Sequence, residues 1–230
     1  MDEAGDYTAP SIGYRWIKAN IYSALFTAVL GFLVYVLARG LAVSDPETGV
    51  IARSVFIAAG SIITALGFAV YARLTAGVLS RKLPGFPVLT WCLLHILIGL
   101  ALGALLSLSE ISVGETVEQA GDESILGIAL TTVMIGILAG GIFGSLQALV
   151  LRKAARNAKI WVGYSALGGV AFGVALLIAF YGPQSGVRNE LVSEVVGAVV
   201  TVVIAIILLP ALRRLEPRNL SLAPSAPPPS

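Results

Sequence analysis

The stretch from Ser124 to Leu151, SILGIALTTVMIGILAGGIFGSLQALVL, runs for 28 residues without a charged side chain. A helix that bridges a hydrocarbon core of about 30 Å at 1.5 Å per residue needs roughly 20 such residues, with every backbone group bonded inside the segment. Five further uncharged runs lie between Lys18 and Arg39, Arg53 and Arg73, Lys82 and Glu110, Lys159 and Arg188, and Glu194 and Arg213. With Pro84, Pro87, Gly182 and Pro183 trimmed from the ends, six spans are expected near 17–38, 53–73, 87–108, 124–150, 160–181 and 192–212. The fold class is therefore all-α and polytopic: a cytoplasmic N-terminal segment (1–16), a six-helix transmembrane domain (17–212) and a disordered Pro-rich cytoplasmic tail (213–230).

Composition agrees. The 230 residues are 57% hydrophobic and 12% charged, with a mean hydropathy of +0.90, whereas an average soluble domain is about 25% charged. The principal partner is the lipid bilayer. A net charge of +2 and the lack of a basic stripe interleaved with aromatics exclude nucleic acid. Cys92 is the only cysteine, so no intramolecular disulfide forms.

Drawing the spans alternately sorts the charges onto two sides, although the runs were chosen without regard to sign. Twelve of the fifteen basic residues fall on one side: Arg15, Lys18, Arg73, Arg81, Lys82, Arg152, Lys153, Arg156, Lys159, Arg213, Arg214 and Arg218. Only Arg39, Arg53 and Arg188 fall on the other. Short basic loops stay in the cytoplasm, so both termini are expected there, with the acidic loop carrying Glu110, Glu115, Glu118, Asp122 and Glu123 facing outward. The first apolar run is too long for a cleaved signal and reads as an uncleaved span. Trp16, Trp91 and Trp161 stand at cytoplasmic span ends and read as interface anchors, with Tyr35 and Tyr181 marking the outer interface.

Sliding the chain by 70 residues sets Trp91 on Trp161, Gly99 on Gly169 and Gly103 on Gly173, with Leu79-Ser80-Arg81-Lys82 near Leu151-Arg152-Lys153. This suggests a parallel duplication of a helical hairpin, which differs from the inverted repeat of many alternating-access transporters. Gly136, Gly140 and Gly144 recur at every fourth residue of the fourth span. Small residues at that spacing let backbones approach closely in lipid. The third, fourth and fifth helices are thus expected to form the tight centre of the bundle, although the same glycine faces would serve a membrane-protein partner or a homo-oligomer.

His95 is the only histidine and lies within a span, which makes it the foremost functional candidate. It could act as an axial ligand to haem or a pigment, but a neutral ring bonded to a backbone carbonyl is the simpler reading. One His and one Cys three residues apart are too few to hold a metal, and no cofactor is expected. Gln147 and Ser165 are further intramembrane polar residues. The Gln147 amide must find partners inside the bundle, with Ser145, Ser165 and Tyr164 as candidates.

Gly141-x-x-Gly144-x-x-Gln147-x-x-Val150-Leu151-Arg152, followed by Trp161-Val162-x-x-Ser165-Ala166-Leu167-Gly168, resembles a motif of uncharacterised multi-pass bacterial membrane proteins. In that group Trp often follows the glutamine, where this chain has Ala148. The resemblance covers residues 136–173. It implies a bacterial cytoplasmic (inner) membrane location and brings no activity with it.

No nucleotide loop, paired intramembrane carboxylates or Ser-His-Asp set is present, so the chain is not read as an enzyme. The first functional expectation is a non-enzymatic accessory or scaffold subunit of a membrane assembly. The second is a small-solute transporter or channel with a neutral pathway through Asn20, Ser23, Thr27, His95, Gln147 and Ser165. The third is a haem or pigment holder through His95.

Overall fold

A computed structural model of the chain describes residues 11–41, 49–116, 125–181 and 187–218. They form six α-helices: α1 (Ile12–Gly40), α2 (Val50–Lys82), α3 (Val88–Thr116), α4 (Ile125–Leu151), α5 (Lys159–Tyr181) and α6 (Val187–Arg214). Five of them are long and apolar enough to cross a membrane. Over its described side chains α5 offers a shorter apolar stretch, Lys159–Ala175.

Large apolar side chains stand exposed on the outer faces, among them Leu25, Val29, Leu97, Leu138, Ile142 and Ile206. In water such a surface would be a severe aggregation hazard, whereas in lipid it is the solvent-matched face. The chain is a multi-pass membrane protein.

The helices overrun the expected spans. Ser11 caps α1, its hydroxyl accepting from the Tyr14 amide at 3.3 Å, so the helix starts five residues before position 17. Past Arg73, α2 continues for more than two turns: Arg73 points outward, while Thr75, Ala76, Val78 and Leu79 bury on the inner face. The charge marked a helix face there, and the helix end comes with Leu83-Pro84-Gly85. Gly85 takes φ 75°, a left-handed turn suited to glycine, and the chain enters α3 with Trp91 N–H donating to the Pro87 carbonyl.

Around the bundle α1 packs on α2 and α6, α2 on α3, α4 on α5, and α5 on α6. The α3/α4 seam is the slenderest between neighbours. This corrects the expected central trio of third, fourth and fifth helices: the glycine faces seal α2 to α3 and α4 to α5 instead. A methyl group on Gly136 would overlap the Gly169 carbonyl, and one on Gly140 the Ser165 carbonyl. Gly144 lies against the Ser165 side chain and Val162, Gly99 against Ala65 and Phe68, and Gly103 against Gly60 and Ser61. Gly169 and Gly173 meet Gly136 and Val133 from the α5 side.

The tail departs from the free segment expected from residue 213. The α6 helix runs to Arg214, Leu215 is buried, and the following residues pair with the α4–α5 loop. Arg156 N–H donates to the Glu216 carbonyl (3.1 Å) and Arg218 N–H to the Ala154 carbonyl (2.8 Å). Residues 219–230 lie outside the described set, as do residues 1–10, Glu118, Asp122 and Glu123, and the side chains of Glu110, Glu115, Tyr181 and Arg188.

Candidate functional site

Buried aromatic and polar side chains gather at the end of the bundle that carries the basic loops. Each odd-numbered helix opens with a fully buried tryptophan: Trp16 on α1, Trp91 on α3 and Trp161 on α5. Each passes its indole N–H to an even-numbered helix. Trp16 donates to the Ala205 carbonyl of α6 (3.0 Å), Trp91 to Thr75 Oγ1 of α2 (3.1 Å), and Trp161 to Gln147 Oε1 of α4 (2.7 Å). The expectation that these rings anchor at the lipid interface is corrected in this respect. They stand near their helix starts but face inward, because an indole N–H in an apolar setting is best satisfied by a neighbouring helix. The Trp16 and Trp161 rings meet edge-on with centroids 5.7 Å apart, and those of Trp91 and Trp161 lie at 6.5 Å.

One turn beyond each tryptophan comes a buried polar residue: Asn20, His95 and Ser165. Asn20 Nδ2 donates to the Trp16 carbonyl (2.8 Å), and His95 Nδ1 lies 2.7 Å from the Trp91 carbonyl. Among the described residues Ser165 Oγ, which is buried, has no hydrogen-bond partner.

His95 and Gln147 come together across the α3/α4 seam, with Gln147 Nε2 2.9 Å from His95 Nε2. The indole fixes every proton in this network. An indole N–H only donates, so the Gln147 atom facing Trp161 is its oxygen and the amide NH₂ faces His95. His95 Nε2 therefore accepts, and Nδ1 carries the proton that it donates to the Trp91 carbonyl. Thr75 in turn donates to the Tyr71 carbonyl (2.8 Å) while it accepts from Trp91. The path runs Trp161, Gln147, His95, Trp91 and Thr75, touching four helices, and each of its indole, amide and imidazole groups is engaged. Tyr71, Trp91 and Phe143 pack around the imidazole at centroid distances of 5.3, 4.5 and 6.0 Å.

The partners of Gln147 thus differ from Ser145, Ser165 and Tyr164. The Ser145 hydroxyl turns back on its own helix to the Gly141 carbonyl (2.7 Å), which leaves the amide to His95 and Trp161. Thr75, Tyr71 and Phe143 were not anticipated. The expected repeat held a signal for the first: matching Leu79 to Leu151 places Thr75 opposite Gln147. Of the remaining residues of the neutral pathway, Ser23 is buried and Thr27 lies beside Gly67. Among the described residues no group of three His, Cys, Asp or Glu side chains is placed to hold a metal.

No protein-family model matches the chain, and neither does any curated protein or solved structure.

Proposed function

We propose that this chain is a six-span, non-enzymatic accessory or scaffold subunit of a membrane assembly, with both termini on its basic, cytoplasmic side. The observation that carries the reading is that Trp161, Gln147, His95, Trp91 and Thr75 are engaged with one another at the basic end of the bundle. A haem or pigment metal would need the Nε2 lone pair of His95, which accepts from Gln147. A solute path would need polar groups free to exchange partners, and three of the candidates hold intramolecular bonds. The α5 helix is counted as the sixth span, since its 23 residues extend about 34 Å. The inner membrane of a bacterium rests on the motif resemblance.

The bundle also reads as three related hairpins, α2–α3, α4–α5 and α6 with α1, the third divided between the chain's ends. Supporting this extension of the expected duplication are the three tryptophans, the polar residues four positions on, and the buried Leu79, Leu151 and Leu212 at the ends of the even helices.

The transporter reading has one observation in its favour, the slender α3/α4 seam. Mild extraction from native membranes, followed by an absorption spectrum and mass spectrometry, tests the proposal. The expected product is a colourless particle with a second protein in fixed proportion. A pigmented particle, or a lone chain that passes solute when placed in vesicles, would overturn it.

A further inference from the structure

Four cations converge on one open cavity of about 620 Å³ at the basic end, lined by Arg152, Lys153, Ala155, Arg156 and Arg218. Among the described residues no acidic side chain lines it. Arg152 and Lys153 follow directly on α4, and Arg156 comes from the loop behind them. Arg218 arrives from beyond the last helix, brought in by backbone pairing of the tail with the loop. The arrangement is built. Asn157 accepts from the Glu216 amide (3.0 Å) and donates to the Arg214 carbonyl, Arg218 Nη1 reaches the Arg152 carbonyl (3.4 Å), and Ala154, Ala155, Ala158 and Leu215 are buried beneath.

Membrane topology does not require this convergence. The positive-inside bias acts through the number of cations near a span, and is indifferent to whether they share a cavity. Gathering four like charges on one surface carries a repulsion, screened because the side chains are exposed, that a bound anion would offset. Guanidinium forks match phosphate oxygens in pairs, with lysine adding a mobile point charge.

We propose that this cavity binds the phosphate of an anionic phospholipid headgroup. Its walls begin directly after the end of α4, where the headgroups would lie if α4 spans the hydrocarbon core, and the cytoplasmic leaflet carries a negative surface potential from anionic lipid. The proposal rests on insertion of the bundle with its basic end at the cytoplasmic leaflet, as proposed above, and is independent of the accessory role.

The test uses the full chain in neutral detergent with added phosphatidylglycerol, phosphatidylcholine or inorganic phosphate, and native mass spectrometry as the readout. The wild type is expected to retain phosphatidylglycerol at least fivefold better than phosphatidylcholine. The double variant Arg156→Ala/Arg218→Ala, which changes exposed side chains, should lose that preference. Arg15→Ala/Arg81→Ala removes the same charge outside the cavity and should keep it. Equal retention by the wild type and the cavity variant would overturn the proposal, as would equal losses in both double variants. Capture of inorganic phosphate without preference for the anionic lipid would overturn the headgroup assignment.

Discussion

Gln147 joins two helices that otherwise barely meet, and what its side chain does is set by its neighbours. Removing it leaves the Trp161 N–H and His95 Nε2 buried without partners in a medium that offers none. Gln147→Leu is expected to lower stability in detergent by about 2 kcal/mol, measured by denaturant unfolding. A double-mutant cycle with His95→Ala should return a coupling of roughly 0.5–2 kcal/mol, as for interhelical bonds elsewhere. A coupling indistinguishable from zero would mean that the bond contributes nothing. Ser165 makes the opposite case. Its hydroxyl is buried and, among the described residues, unpaired, so Ser165→Ala should leave stability unchanged to within about 0.5 kcal/mol or raise it. That Gln147 needed a partner was legible in the sequence; which partner it takes was not, because His95 lies 52 positions away and the pairing depends on how α3 and α4 sit.

At the scale of helices, the glycine spacing disclosed which faces come close but not which helices they join. Gly136 and Gly140 lie against α5 backbone, where there is no flexible side chain to give way. Gly136→Leu or Gly140→Leu should therefore separate α4 from α5, at a cost of about 3 kcal/mol or loss of the folded protein. Gly77 and Gly163 have open space around them. Alanine at either is expected to be neutral or to stabilise by up to about 1 kcal/mol through helix propensity. Equal damage at all four sites would show that glycine matters here for something other than close approach. The tryptophans illustrate a different limit. Their position near span ends was readable, yet interface anchoring and inward packing share that position, and only the neighbouring helices decide between them.

For the whole molecule, the uncharged runs located all six helices, because the cost of charge in hydrocarbon leaves a plain mark on sequence. The ends were less legible. Arg73 escapes to the outer face and permits α2 to continue, and Leu215 with its successors finds a dock that no tail composition foretells. The threading drawn from the charges has a direct check by single-cysteine labelling in a Cys92→Ser background. Cysteines replacing Arg156 and Arg218 should react with an impermeant reagent from one side, and one replacing Gly49 from the other. Labelling of positions 49 and 156 from the same side would break the alternate threading.

Trp161, Gln147, His95, Trp91 and Thr75 are committed to one another, and the single histidine allows that to be read without interference. Protein labelled with ¹⁵N only at histidine should give one imidazole with Nδ1 protonated and Nε2 accepting a hydrogen bond, and the Nε2 resonance should shift in Gln147→Leu. A ring protonated at Nε2, or an Nε2 signal indifferent to Gln147, would contradict it.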